Sequence, residues 1–482
     1  MDCHALCQHF HYRQGSHMIS YIERKLYIQT PAIDLLMAIA RSGLYTNYTL
    51  YEQPHEWAMG LGNLASIRAT ADTVTLLSKE QYQCFSRPRL IDAIAEATAA
   101  LPVKDWRLYG SAQFELSHIF HGIESTRIAN DHPLLELFVP QCEIRIEQQH
   151  LLLRAATPQK LEALQHLIKQ IDANPPRPLV NQATLANQNI AAYRQDQYLQ
   201  AVQQAVLDIK EHRYQKVIMS RQIPLKQPVD ILESYQTGRR NNTPARSFIY
   251  SQDGFIAAGF SPETVVEVGA SGWVSTQPLA GTRAIGANDA EEARLKAELL
   301  ADTKEIAEHA VSVKLAIEEL ESVCDANSVS ISEFMAIRRR GSVQHLASQV
   351  KGQLAKGKHC WDAFEALFPA VTASGIPKQP AIEAIQRLEP QNRGLYSGCV
   401  MIADSQGAMD AALVLRSIYN QHNQQWLQAG AGIVDQSKPE RELEETIEKL
   451  TCIMTHLVGQ AETATNCGSE TTTDQDKELE TL

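Results

Sequence analysis

A chain of 482 residues, 44% of them hydrophobic and 21% charged, is long enough for several domains or one large enzyme fold and rich enough in apolar side chains for a sizeable core. That excludes a disordered or fibrous protein. The 44 Lys and Arg against 56 Asp and Glu leave a net charge of −12, and with no long basic run to follow a phosphate backbone, nucleic acid is not an expected partner. Nine cysteines, odd in number and scattered without a CxxC pair, suit a reduced compartment better than a disulfide framework. No apolar stretch is long enough to span a bilayer and no signal-like core opens the chain, so a cytoplasmic protein without membrane contact is expected.

In chain order, residues 1–17 contain Cys3, His4, Cys7, His9 and His11, but no second ligand pair follows at zinc-finger spacing. Gly15-Ser16-His17-Met18 resembles a tag remnant ahead of a start at Met18, so 1–17 reads as a disordered extension. Residues 18–195 read as a mixed N-terminal lobe, ending in the breaker run Asn174-Pro175-Pro176-Arg177-Pro178 and a polar stretch to Gln197. Residues 196–458 read as the catalytic region. It opens with an amphipathic helix from Tyr198 to Lys210 and a buried strand at Lys216 to Ser220. Further strands are predicted at Ser247 to Ala258, Thr264 to Val268, Gly398 to Ile402, Ala411 to Tyr419 and Trp426 to Gly430, with long helices at about 289 to 323 and 438 to 457. Strands punctuated by helices without regular βαβ alternation predict an α+β fold with antiparallel sheets. The polar, Thr-rich segment 459–482 reads as a disordered tail.

The predicted helix from 289 has an apolar stripe of Ile306, Ala310, Val313, Ile317 and Leu320. Glu305 and Glu308, three apart, fall off that stripe, beside the small residues Ala301, Ser312 and Ala316, which suit close packing better than open water. The last helix repeats the arrangement. Ser437 and Glu440 form a capping-box pattern, Pro439 suits the first turn, and Leu443, Ile447, Leu450, Met454 and Leu457 form the stripe. Glu442 and Glu445 are again three apart, beside Lys449. One such pair is an ordinary solvated face. Two pairs on separate helices predict an oxygen-rich cage, and hard oxygen donors without His or Cys select magnesium over zinc. The runs Leu279 to Arg283 and Ala429 to Ile433 would let backbone N–H groups approach a ligand, or simply close tight strand ends. Lys216 and Glu263 are candidates for a base and an acid, against the plainer reading of strand-end charges reaching solvent.

Taken together, the segments KVIMSR (216–221), GRRNNTPARSF (238–248), GFSPE (259–263), PLAGTRA (278–284), KEIAEHAVSV (304–313), RGSVQHLAS (340–348), FPAVTASGIPK (368–378), RGLYSG (393–398), AALVLR (411–416), AGAGI (429–433) and PERELEETIEKL (439–450) resemble the chorismate-utilising enzymes. Within them the chain is most similar to the salicylate synthases of siderophore pathways. The resemblance implies two packed antiparallel sheets with helices outside, in one α+β unit. Ammonia-using relatives carry another residue where this chain has Lys216, so the resemblance implies water as nucleophile and no obligatory amidotransferase partner. It implies that chorismate is hydrated at C2 with Lys216 as base while Glu263 protonates the departing C4 hydroxyl, and that isochorismate then yields salicylate and pyruvate. Mg²⁺ is implied on Glu308 and Glu445, with Glu305 and Glu442 nearby. Arg416, Tyr396 and the backbone of Gly430 are implied to clamp the enolpyruvyl carboxylate, with Gly281, Thr282, His345, Thr372, Gly432 and Lys449 completing the pocket. An isochorismate synthase that stops after the first step is the alternative. A non-catalytic subunit serving an amidotransferase is a more distant one.

Overall fold

The computed structural model describes residues 18–460 apart from 80–81, 126, 177–191 and 342. The expectations for 1–17, and for the tail beyond 460, lie outside the described residues. Gly459 still bridges to Val229, and Gln460 donates to Pro228 O, so the ordered chain runs past the predicted start of the tail. Among the described residues no helix is long and apolar enough to cross a membrane.

Every ladder between the named strands is antiparallel, and all the ladders join into one network that folds into two layers. Two long strands, Trp57–Ala69 and Leu135–Glu147, belong to both layers. The first part of Trp57–Ala69 pairs with Tyr48–Glu52, and its last part with Val74–Ser78. Leu135–Glu147 meets His150–Ala155 through one end and Arg107–Ala112 through the other. From this hinge one layer runs through Tyr48–Glu52, Arg246–Gln252, Phe255–Ser261, Ser417–Gln421 and Gln424–Ile433 to Lys216–Pro224. The other runs through Arg107–Ala112, Cys399–Asp404, Met409–Leu413, Thr264–Val268 and Trp273–Thr276 to Val343–Gln353. In both layers the strands from before residue 177 form one side and those from after residue 191 the other, joined at Tyr48–Glu52 with Arg246–Gln252 and at Arg107–Ala112 with Cys399–Asp404.

Side chains alternate across each strand, so every strand offers one face to the other layer and one to the helices. Tyr51, Phe248, Tyr250, Ala257 and Tyr419 of one layer pack against Tyr109, Val400, Ile402 and Ala412 of the other. On the outer faces lie Leu35, Leu36, Leu164 and Ile168 on one side and Ile91, Ile94, Val313, Leu320 and Phe364 on the other. Each such side chain, fully buried, contributes about 1.5–3 kcal/mol relative to an exposed one. The α+β class, the antiparallel pairing and the external helices agree with the sequence reading.

Three predicted elements divide. The strand placed over Ser247 to Ala258 is a hairpin, Arg246–Gln252 and Phe255–Ser261, turned at Asp253 and Gly254, both at positive φ. Asp-Gly is the dipeptide that such a turn favours. The strand over Ala411 to Tyr419 is interrupted between Met409–Leu413 and Ser417–Gln421, where Arg416 has φ 51°. The helix over 289 to 323 is two helices, Asp289–Ala301 and Thr303–Glu321. Asp302 separates them, its Oδ1 accepting the N–H groups of Lys304 and Glu305 as an N-cap. The buried face of Thr303–Glu321 is also rotated from the predicted stripe. His309, Ser312, Val313, Ala316 and Leu320 are buried, while Ile306, Ala310 and Ile317 are only partly so, because the small residues allow the helix to sit close on the sheet. The predicted capping box at Ser437 does not form. Lys438 is the N-cap residue, and the Ser437 hydroxyl accepts the Val434 N–H and bonds the Glu442 carboxylate.

Candidate active site

The helices Thr303–Glu321 and Pro439–Met454 stand over the ends of Lys216–Pro224, Leu279–Ala284, Val343–Gln353 and Gln424–Ile433, and together they enclose a cavity of about 730 Å³. Every residue assigned above to proton transfer, substrate or metal lines it.

Lys216 opens its strand and is buried, its ammonium 2.7 Å from Glu308 Oε1. Gly375–Ile376 pairs with Val217 and Lys216, and a Cβ on Gly375 would stand 2.3 Å from Lys216 O, so glycine is what lets this loop press on the strand. On the facing wall Glu263 is 2% exposed. The Thr372 hydroxyl donates to its Oε1 and the Leu279 N–H to its Oε2 at 3.0 Å. Burial pushes its carboxyl up to about 7, against the opposing pull of Thr372, Leu279 and Lys216. Such a group is available near neutral pH both as an acid and, after donating, as a carboxylate.

The four glutamates of the two helices share one end of the cavity. Burial and then the neighbouring Glu308 raise Glu305, whose Oε2 accepts the Thr282 N–H at 3.3 Å. Burial and then Glu445 push Glu442 up to about 7. Glu308 is held below the usual carboxylate range: burial opposes its charge, but the adjacent Lys216 outweighs it. Glu445 Oε1 pairs with Lys449 Nζ at 2.7 Å. Among the described residues no three carboxylate, His or Cys groups already converge on one point. The lysines divide the set, since Lys216 and Lys449 each hold one carboxylate.

Two observations nevertheless fit a hard divalent cation. After burial, Glu308 and Glu445 raise Glu305, and Glu445 raises Glu442, a repulsion that a cation would relieve. The backbone is also cleared around them: a Cβ on Gly432 would lie 3.1 Å from Glu308 Oε1, and one on Gly281, at φ 74°, 3.1 Å from Glu305 Oε2. All-oxygen donors are the set that Mg²⁺ or Ca²⁺ takes.

Beyond Thr282, which bridges Glu305 and His345, the wall is cationic. Arg416 is partly buried in the wall, and among the described residues no carboxylate forms an ion pair with it. Its Nη1 donates to Arg340 O at 2.9 Å and its Nη2 lies 2.9 Å from His345 Nε2. His345 Nδ1 lies 3.1 Å from Thr282 Oγ1. With Arg416 donating to Nε2, the proton of the ring sits on Nδ1 and is shared with Thr282. Burial and then Arg416 hold His345 well below its ordinary value, so it is neutral. Lys449 Nζ donates to Gly430 O at 2.8 Å, and a Cβ on Gly430 would come within 3.0 Å of the Tyr396 hydroxyl.

Sequence reasoning missed Arg283 and Lys304, which also line the cavity. Arg283 bonds the Asp302 cap and reaches Glu305 Oε1 at 3.6 Å, and Lys304 acts electrostatically on Glu305, Glu308 and Glu442. Both stand within segments quoted above; Lys304 carried a local signal, a cation next to the paired carboxylate Glu305, whereas Arg283, 22 residues before Glu305, carried none.

Residues 46–455 match the family described as chorismate binding enzyme. A salicylate synthase from Mycolicibacterium paratuberculosis (strain ATCC BAA-968 / K-10) is 38% identical over 86% of this chain and 90% of its own length. An anthranilate synthase component 1 from Spirochaeta aurantia is 41% identical over 48% of either chain. Among solved structures, anthranilate synthase component I from Streptococcus pneumoniae TIGR4 superposes with a TM-score of 0.69 at 23% identity, covering 84% of this chain and 93% of that one. The menaquinone-specific isochorismate synthase from Escherichia coli gives 0.68 at 22% identity, covering 90% and 94%. These two establish the fold. With the family match spanning most of the sequence and the salicylate synthase aligned nearly end to end, the chain belongs to the chorismate binding enzymes.

Proposed function

We propose that the protein converts chorismate to isochorismate and then to salicylate and pyruvate, supplying salicylate for siderophore assembly. The observation that carries this reading is that Lys216 and Glu263 face one cavity in a chain aligned over 90% of a salicylate synthase. In the first step Lys216, as the free amine, accepts a proton from the water that bonds to C2, and Glu263 gives one to the hydroxyl leaving C4. Water enters and water leaves, so isochorismate is an isomer of chorismate. In the second step the C–O bond to the enolpyruvyl group breaks, the C2 hydrogen passes to its methylene carbon, and the ring becomes aromatic. No further acid or base is required, and Arg416 and Tyr396 orient the enolpyruvyl carboxylate for that transfer.

Mg²⁺ is the cofactor we assign, held by Glu308 and Glu445 with Glu305 and Glu442 beside them. When bound it neutralises the ring carboxylate and adds positive charge at the reacting ring. Gly281, Thr282, Thr372, Gly432 and Lys449 shape the pocket around the ring. Residues 18–195 and 196–458 act in this reading as two lobes of one fold.

The test is incubation of the purified protein with chorismate and Mg²⁺ and separation of the products. Salicylate and pyruvate in equal amounts are expected, with isochorismate only in passing. Isochorismate as end product would make the protein an isochorismate synthase, and ammonium-dependent amination of the ring would reject both.

A further inference from the structure

Outside the cavity, the side chain of Arg393 is 1% exposed, and all five of its N–H donors are engaged. Nε donates to Glu389 Oε2 at 3.0 Å and Nη2 to Glu389 Oε1 at 2.5 Å. Nη2 also donates to Ile218 O at 2.6 Å, and Nη1 to Ala373 O at 2.7 Å and Ser397 Oγ at 3.4 Å. Glu389 Oε1 in turn accepts the Ser220 N–H at 2.7 Å. The guanidinium lies 4.6 Å from the ring centre of Phe114 and 5.7 Å from that of Tyr396. Its own backbone is fixed by Glu115, which accepts the N–H groups of Arg393 and Gly394 at 2.7 and 3.0 Å.

These contacts fall on three separate segments of the cavity wall. Ile218 and Ser220 follow Lys216 on its strand at the spacing that shares a face. Ala373 follows Thr372, whose hydroxyl holds Glu263. Tyr396 itself lines the cavity. A planar fork with five donors can bind two carbonyls, a hydroxyl and a carboxylate at once, which three tetrahedral ammonium donors cannot do. We propose that Arg393, with Glu389, is a positioning residue that sets Lys216, the Thr372–Glu263 pair and Tyr396 in mutual register without touching substrate. The inference rests on the assignment of Lys216 and Glu263 to proton transfer.

The experiment compares Arg393→Lys and Glu389→Gln with the wild type in thermal melting, in kcat and KM for chorismate, and in the pH profile of kcat/KM. Small misplacement of reacting groups costs rate more than binding, so kcat should fall roughly 10- to 10²-fold while KM stays close to wild type. The high-pH limb, set by ionisation of Glu263, should move upward, because the hold of Thr372 on the ionised form of Glu263 is loosened. A lower melting temperature with kcat and pH limb unchanged per folded molecule would overturn the inference. If Arg393→Lys does not fold, the isosteric Glu389→Gln decides, and failure of both to fold would mean a fold-level role and also overturn it. Lys216→Ala run beside them separates the two claims. Turnover lost there with wild-type kinetics in Arg393→Lys sinks this inference alone, whereas turnover retained in Lys216→Ala sinks the assignment of Lys216 and this inference with it.

Discussion

The two ends of the cavity carry opposite charge and are balanced in different ways. At the glutamate end, cations of the protein stand against the carboxylates: Lys216 against Glu308 and Lys449 against Glu445, each at 2.7 Å. At the other end the partly buried Arg416 has, among the described residues, a carbonyl and a neutral imidazole as its hydrogen-bond partners and no carboxylate in ion-pair contact. A desolvated charge without a counterion is costly, so in the proposed reaction a substrate carboxylate would supply what the fold withholds there. The glutamate end is only partly neutralised: lysines hold Glu308 and Glu445, while Glu305 and Glu442 stay raised by their neighbours, so an incoming cation would compete with lysines for two of the four carboxylates. One end is therefore built for exchange and the other for capture.

The largest effect should come from breaking the exchange end. EDTA is expected to abolish turnover and Mg²⁺ to restore it, and Glu308→Gln should lower kcat/KM by roughly 10³-fold, the scale of several kcal/mol of metal-derived charge stabilisation. Calorimetric titration of Mg²⁺ into the variant should show weakened binding. Full activity of Glu308→Gln in EDTA would remove the metal from the proposal.

Next in size are the groups between the two ends. Lys216→Ala and Glu263→Gln should each slow chorismate hydration by roughly 10²-fold or more, while isochorismate supplied directly is still converted to salicylate. Equal loss of both half-reactions in both variants would make these residues binding groups instead.

The comparison of the two ends also explains what the sequence discloses. The glutamate end was legible because paired carboxylates three apart, a first-turn Pro439 and runs of small residues are local signals. The rotation of the Thr303–Glu321 face was not. Ile306 and Ile317 attract the eye, but which side of a helix packs depends on a sheet whose strands come from distant segments. The same holds for the two layers, since nothing local in Trp57–Ala69 or Leu135–Glu147 says that each strand changes partners midway. The break at Asp253 and Gly254 was legible and overlooked. Arg416 at φ 51° carries no such cue, because its conformation is fixed by long-range bonds to Arg340 and His345.

The capture end gives a smaller, separable effect. Arg416→Ala removes hydrogen bonds of a charged donor, each worth about 1.5–3 kcal/mol, so KM for chorismate should rise roughly 10- to 10²-fold, with the response to Mg²⁺ unchanged. Increased dependence on Mg²⁺ in this variant would mean that the two ends are not independent.

The smallest expected effect is a displacement of a pH limb, and it concerns the hydrogen bond that joins Thr372 to Glu263. As the proton donor to the leaving hydroxyl, Glu263 must be protonated, so kcat/KM should fall as pH rises through its value of about 7. Thr372 donates to Oε1 and so favours the ionised form. Removing that donor in Thr372→Val raises the pKa, and a hydrogen bond to a charged group corresponds to about one unit or slightly more. The limb should therefore move to higher pH by about that amount. At pH 8 the variant should retain a larger share of its own maximum than the wild type does, even though the maximum itself is lower. Glu263→Gln should have no such limb. A shift to lower pH in Thr372→Val, or a limb that persists in Glu263→Gln, would show that another group supplies the proton.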